Sequence, residues 1–190
     1  MNTTRIETER LLLRKFENND MDALYLLLKD KEVNTFLPWF PVKNIEETKA
    51  FYQKRFADKK YHFAICLKEE NYPIGYIKAD AGDAYDFGYA LRKEFWHNGI
   101  VTEAAGALIE LLKKEHIPYI TATHDKNNPR SGGVMKNIGM RYCYSYEEQW
   151  QPKDFLVTFR MYQFNFDGQD DRIYQKYWET SDTHFIEKNV

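Results

Sequence analysis

The stretch Phe87-Gly88-Tyr89-Ala90-Leu91, carried on through Phe95-Trp96-His97-Asn98-Gly99-Ile100 to Val101-Thr102-Glu103-Ala104-Ala105, decides how this chain folds. A short apolar run stops, a glycine-bearing loop follows, and an amphipathic helix begins. Beyond the loop, Ala105, Leu108, Ile109 and Leu112 recur at the spacing of one buried helical face, so the helix starts close to Gly99 or Val101. Its first N–H groups have no intrahelical partner and the helix dipole adds partial positive charge there. Such an end holds a phosphate or pyrophosphate without a basic side chain. The same arrangement also serves as a plain connection, and the rest of the chain has to decide between the two.

A length of 190 residues with 43% hydrophobic composition supports one domain with a full core. Lys+Arg 27 against Asp+Glu 29 leaves a net charge of −2, and no block of like charge appears, which argues against nucleic acid or an anionic membrane as partner. The start, Met1-Asn2-Thr3-Thr4-Arg5-Ile6-Glu7, lacks an apolar signal segment, and no apolar run approaches the ~20 residues that span a bilayer. A cytoplasmic protein is expected. Cys66 and Cys143 lie far apart, and His62, His97, His116, His124 and His184 show no paired ligand spacing, so two reduced, buried thiols and no metal are expected.

Along the chain, Leu11-Leu12-Leu13-Arg14-Lys15-Phe16 reads as a first strand, and Asn18-Asn19-Asp20 caps a helix that turns Leu24, Leu27 and Leu28 inward. Two prolines make Phe36-Leu37-Pro38-Trp39-Phe40-Pro41 a loop. Asn44 with Glu47 forms a capping box for a second helix with Ile45, Thr48, Phe51, Tyr52 and Phe56 on its apolar side. Strands are expected over 61–67, 73–79 and 85–91, separated by the turns Lys68-Glu69-Glu70-Asn71 and 80–84. After the loop and helix, 118–123 is β-rich, and Asn128-Pro129 opens a short helix that ends before Gly139. Two aromatic strands, 141–150 and 155–166, close the domain across Gln151-Pro152-Lys153-Asp154.

Several short signatures follow one another in this order: Thr8-Glu9-Arg10-Leu11-Leu12-Leu13-Arg14, Leu37-Pro38-Trp39, Pro73-Ile74-Gly75-Tyr76-Ile77, Phe87-Gly88-Tyr89, Trp96-His97-Asn98-Gly99-Ile100-Val101-Thr102-Glu103-Ala104, then Asn128-Pro129-Arg130-Ser131 with Asn137-Ile138-Gly139-Met140. Together they resemble the GCN5-related N-acetyltransferases (GNAT), in the RimJ/RimL-like branch that acetylates ribosomal-protein N-termini. The resemblance covers roughly residues 6–166. It implies an α+β fold in three layers, α/β/α, with a mixed, mostly antiparallel sheet of about seven strands and about four helices, splayed between the fourth and fifth strands. Residues 1–166 then form the transferase domain and 167–190 an extension.

The resemblance also implies acetyl-CoA as co-substrate and direct acetyl transfer to a primary amine. The pyrophosphate would rest on the loop and helix start formed by Trp96, His97, Asn98, Gly99, Ile100, Val101 and Thr102. The pantetheine arm would pair like a strand with Gly88, Tyr89, Ala90 and Leu91, whose N–H near Tyr89 or Ala90 would also serve the oxyanion. Asn128 would bond the pantetheine amide, and Ser131, near the sulfur, would act as general acid. The chain departs from the usual family pattern at Trp96, which begins the pyrophosphate loop, at His97, often a glycine, at Val101, which ends it, and at Met135, where many relatives carry a tyrosine. An attacking ammonium must first lose a proton, so a carboxylate should face the acetyl group; Asp86 and Glu148 are both candidates, while the branch places its base where this chain has Trp150. Glu103 is typical of the branch and equally suited to complement the helix dipole.

Trp39, Phe40 and Trp150 are expected around an acceptor that is either a small-molecule amine or a peptide N-terminus. Aromatics of the closing strands that do not face the core are left to form a homodimer face or a substrate wall. Beyond residue 167, Arg172-Ile173-Tyr174-Gln175-Lys176-Tyr177-Trp178 reads as a helical stretch whose Ile173, Tyr174, Tyr177 and Trp178 need a surface to cover. The alternative to an enzyme is a non-catalytic acyl-CoA-binding module that keeps this fold.

Overall fold

Leu11 and Leu13 bury into one core cluster and Leu12 into another, because successive side chains of a strand point to opposite faces. A strand buried on both faces needs helices on both sides. The computed structural model describes residues 5–190; the signal-segment reading of Met1 to Thr4 lies outside the described residues.

The first sheet orders β1 (Ile6–Glu7), β2 (Leu11–Arg14), β3 (Tyr61–Leu67), β4 (Pro73–Ala79) and β5 (Phe87–Leu91), each antiparallel to the next. Its register lines up Leu12 with Cys66, then Ala64 with Tyr76 and Tyr76 with Ala90, on the face covered by α1 (Met21–Leu28), α2 (Lys31–Asn34) and α3 (Ile45–Arg55). The opposite face carries Leu13, Phe63, Ile65 and Ile77 against Ala104, Ala105, Leu108, Ile109 and Leu112 of α4 (Ile100–Lys114). The second sheet orders β6 (Tyr119–Asp125), β8 (Phe155–Asn165), β7 (Arg141–Trp150) and β9 (His184–Phe185), with α5 (Pro129–Asn137) following β6. One parallel rung, Asp86 with Thr121, joins β6 to the chain entering β5, and the two sheets diverge from it. The expected mixed sheet with a splay is therefore two antiparallel sheets meeting at a fork.

Several element bounds differ from expectation. The first strand stops at Arg14 and is preceded by the two-residue β1, and β5 begins at Phe87, because Tyr85 takes a left-handed backbone (φ 44°) that turns the chain into the fork. Asp20 both ends a 3₁₀ turn and grips Arg14: the guanidinium bonds Asp20 Oδ2 at 2.6 Å and Oδ1 at 2.9 Å, with both side chains buried. Asn44 caps α3 by accepting from the Glu47 N–H, but the Glu47 carboxylate accepts from Lys43 N–H, one residue before the expected partner. Cys66 is buried and Cys143 only half-buried; both are free, with burial raising each thiol to about 11.

The expected helix over 172–178 is shorter and later, α6 (Lys176–Thr180). Side chains of the sheet explain the shift: Gln163 accepts from Tyr174 N–H (2.7 Å) and donates to the Arg172 carbonyl (3.0 Å), and the Tyr144 hydroxyl donates to the Tyr174 carbonyl (2.6 Å). These bonds hold the segment extended until Gln175. Tyr174, Tyr177 and Trp178 then pack on Tyr144, Tyr146 and Phe159, whereas Ile173 stays exposed.

Past β9, Arg160 bonds Glu187 through Nε (2.9 Å) and NH2 (2.6 Å), and Ser145 Oγ donates at 2.6 Å. The bond from Arg160, reinforced by Ser145, holds the Glu187 carboxyl down at about 2, against an ordinary value of 4.5. A depressed folded-state value means that this stabilisation is complete above 4.5 and disappears as the pH falls toward 2. Glu187→Gln should cost about 2 kcal/mol at neutral pH and flatten the acid dependence of stability in that window. Urea unfolding at a series of pH values, wild type beside variant, checks this; an unchanged acid slope would count against the ion pair.

Candidate active site

The two sheets diverge around a cleft of about 1080 Å³. One edge of β5 pairs with β4, while from Phe87 onward the other edge has no strand partner among the described residues. Backbone groups alternate between the two edges of a strand: Asp86 and Arg92 bond the β4 side, so Gly88 and Ala90 face β4, while Tyr89 and the Leu91 N–H turn toward the cleft with no strand partner. At the same cleft α4 begins, with Gly99 as its cap in the left-handed region (φ 70°) and His97 also left-handed (φ 62°). Intrahelical bonding starts with the Glu103 N–H on the Gly99 carbonyl, which leaves the N–H groups of Ile100, Val101 and Thr102 free for a ligand.

Side chains from far along the sequence shape this loop. Glu103 accepts from Thr8 Oγ1 (2.5 Å), from Arg10 N–H (2.9 Å) and from Arg10 Nε (2.7 Å), and Arg10 NH1 donates to the Asn98 carbonyl (2.9 Å). Burial alone would raise the Glu103 carboxyl, but these donors outweigh it and hold it below its ordinary value. Glu103 thus ties the β1–β2 turn to the start of α4. Trp96 donates its indole N–H to the Leu91 carbonyl (2.8 Å), joining the end of β5 to the loop, with Arg130 over its ring at 5.1 Å.

Ser131 sits in the first turn of α5, where Asn128 Oδ1 accepts its N–H at 3.4 Å. The Tyr89 hydroxyl donates to the Ser131 carbonyl at 3.0 Å and lies 2.9 Å from Ser131 Oγ, so Tyr89 fixes the serine hydroxyl across the fork. Burial raises the Tyr89 phenol and keeps it protonated. Beneath α5, His124 is buried with Nδ1 on the Asp125 carbonyl (2.8 Å), and a Cβ at position 132 would lie 2.7 Å from His124 Nε2; Gly132 lets the helix approach this closely. Met135 is buried in the core at the position noted as a departure.

The two candidate bases stand in different surroundings. Asp86 Oδ2 accepts from Lys78 Nζ at 2.7 Å, and Lys78 also bonds Asp80, which in turn holds His62 Nε2 at 2.8 Å. Burial works against the Lys78 charge, but Asp86 and Asp80 outweigh it and keep the ammonium charged. Glu148 has no ion-pair or hydrogen-bond partner among the described residues, and desolvation raises its carboxyl above the ordinary glutamate value. Among the described residues no group of three or more His, Cys, Asp or Glu could hold a metal ion, and no helix is long and apolar enough to cross a membrane.

The acetyltransferase (GNAT) domain family model matches residues 10–141. The chain belongs to the GNAT acetyltransferase family. It is similar to the uncharacterized N-acetyltransferase YnaD of Bacillus subtilis, 35% identical over 140 residues that cover 72% of this chain and 82% of that one. The ribosomal protein uS5-alanine N-acetyltransferase of Escherichia coli is 26% identical over 171 residues, covering 80% and 83%. A crystal structure of a GNAT-family acetyltransferase from Bacillus anthracis superposes with a TM-score of 0.78 at 27% identity, covering 86% of this chain and 99% of that one.

As a GNAT enzyme, the chain uses acetyl-CoA and transfers acetyl to an amine. The unpaired edge of β5 and the free N–H groups of α4 fit the amides and pyrophosphate of that co-substrate. Every residue expected at its site, from Gly88 to Leu91, Trp96 to Thr102, Asn128 and Ser131, lines the cleft, as do Asp86 and Glu148. On the acceptor side, Trp39 and Trp150 line it too. Trp39 packs edge-on against Phe51 (4.8 Å) beneath the Arg55 guanidinium (5.2 Å), and its buried indole N–H has no partner among the described residues. Phe40 is a correction: it is 60% exposed and absent from the lining, because the loop turns Trp39, and not its neighbour, inward. At the rim, Lys153 of the β7–β8 turn donates to the Asn34 carbonyl at 2.6 Å, joining the two banks of the GNAT cleft.

Sequence reasoning missed the Tyr89 hydroxyl, Lys78 and Tyr177, all of which line the cleft. Tyr89 was within reach: it lies in the Phe87-Gly88-Tyr89 signature and shares a strand face with Phe87. Lys78 and Tyr177 carry no local signal.

Proposed function

We propose that Glu148 is the general base and Ser131 the general acid of this acetyltransferase, with residues 88–91, 96–102 and Asn128 holding the co-substrate. The observation that carries the reading is the unpaired edge of β5, which lies in the same cleft as the Tyr89-fixed hydroxyl of Ser131 and the unpaired carboxyl of Glu148. Acetyl-CoA supplies the acetyl group as a thioester. A Glu148 carboxylate oxygen takes the proton that an incoming ammonium must shed. Asp86, committed to Lys78, serves to position that ammonium and not to deprotonate it. Ser131 Oγ, oriented by Tyr89, offers its proton to the leaving sulfur, and a backbone N–H near Tyr89 supports the carbonyl oxygen. An available base and an ordered acid both favour catalysis over a binding module.

The acceptor is a primary amine. The uS5-directed relative supports a protein N-terminus, and the aromatic enclosure by Trp39 and Trp150 supports a small amine. We assign residues 1–166 to the transferase domain and 167–190 to an extension, and two free cysteines support a cytoplasmic setting.

Thiol release from acetyl-CoA in the presence of amines tests the assignment. Ser131→Ala should lower kcat by roughly 10–100-fold with KM for acetyl-CoA little changed. Tyr89→Phe, which frees the serine hydroxyl without removing it, should have a smaller effect in the same direction. A Ser131→Ala enzyme with full kcat would remove serine from the mechanism.

A further inference from the structure

Four aromatic rings form a continuous wall along the cleft face of the second sheet. Trp150 packs edge-on to Phe159 (5.3 Å), Phe159 against Tyr146 (5.5 Å), and Tyr146 lies flat on Tyr177 (5.3 Å, 8° between planes). All four line the cleft. The first three come from the β7–β8 hairpin, but Tyr177 comes from α6, well beyond residue 141, where the family match ends. Its placement is built: Gln163 and Tyr144 fix the backbone of residues 172–174, and Trp178 docks edge-on to Tyr144 (5.4 Å). Tyr177 lines the same cleft as Asp86, the residue that bridges to Thr121 at the fork.

We propose that α6 belongs to the acceptor site, with Tyr177 closing the aromatic wall beside Asp86 and restricting the acceptor to compact primary amines. The inference rests on the acetyl-transfer reading of the same cleft. A wall that ends in a stacked ring leaves room for a flat or short apolar body whose ammonium reaches Glu148 and Asp86. An extended peptide continuing past its first residue would run into Tyr177. The ring acts by shape and stacking, so its hydroxyl is dispensable.

The experiment compares benzylamine with trialanine amide as acceptors for wild type, Tyr177→Ala and Tyr177→Phe, by thiol release from acetyl-CoA. Wild type should prefer benzylamine in kcat/KM by at least about tenfold, Tyr177→Phe should keep that ratio, and Tyr177→Ala should reduce it by about tenfold. KM for acetyl-CoA should stay the same in all three, which separates a role in the acceptor site from general loosening. Tyr177→Leu replaces the alanine variant if the latter melts early. An unchanged ratio in Tyr177→Ala, or a wild-type preference for the peptide, would overturn the proposal. If wild type releases no thiol with either amine, the acetyl-transfer reading fails for these acceptors, and calorimetric titration of both amines into CoA-saturated protein decides the wall separately. There, loss of benzylamine selectivity in Tyr177→Ala upholds it, and equal affinities in wild type, or no binding, sink it.

Discussion

Replacing Glu148 with glutamine is expected to lower kcat/KM for amine acetylation by about 10²-fold or more, leaving KM for acetyl-CoA unchanged. An amine reaches the site as an ammonium ion and cannot attack until it loses a proton. Of the two carboxylates, Asp86 is already engaged by the Lys78 ammonium at 2.7 Å. Glu148 has no such partner among the described residues, and desolvation raises its carboxyl above the ordinary 4.5. Glu148 is inactive as a base when protonated, so the acid limb of kcat/KM against pH should have its midpoint above 4.5 in wild type and vanish in Glu148→Gln. A pH–rate profile measured on both proteins settles the point. Retention of the acid limb in the variant would move the base elsewhere, Asp86 first.

The second large effect concerns stability. Asp20→Ala should cost about 3–5 kcal/mol, because it strands a buried guanidinium without its counter-charge. Arg14 is held from every side, by Asp20 through both terminal nitrogens, by the Asn71 side chain at 2.7 Å and by the Asn71 and Lys15 carbonyls. Those neutral partners cannot neutralise the charge once Asp20 is gone. For a chain of this length the loss corresponds to a fall in Tm of roughly 10 °C. Replacing both partners with apolar residues, Arg14→Met with Asp20→Leu, should recover much of the loss, since a pair of buried charges is expensive to desolvate. Thermal melts of the single and double variants give the answer, and a single variant as stable as wild type would show the pair to be dispensable.

How far the sequence led can be judged from particular elements. The bounds of β3 and β4 matched expectation because both are apolar runs closed by charged turns, and α4 showed its buried face at Ala105, Leu108, Ile109 and Leu112. The two-residue strands β1 and β9 exist only through pairing with β2 and β7, a long-range fact that no local propensity encodes. α6 was displaced because Gln163 and Tyr144, on other strands, claim backbone groups that a helix would need. The same division holds in the cleft. The loop from Trp96 to Thr102 was legible from glycine placement and helix-end physics. By contrast, the pairing of Tyr89 with Ser131 spans 42 residues, and Lys78 becomes a partner of Asp86 only when β4 and the chain entering β5 lie side by side. Phe40 and Trp39 are adjacent and alike in composition; only packing against Phe51 and Arg55 tells them apart.

Lys153 bears on how such a cleft can be remodelled. Its ammonium rests on the carbonyl of Asn34, so the loop that carries Trp39 and the hairpin that carries Trp150 are held in place by each other. Neither is an interchangeable module. A loop grafted here without its facing hairpin would lose this brace, so a redesign of the cleft has to exchange the two segments together.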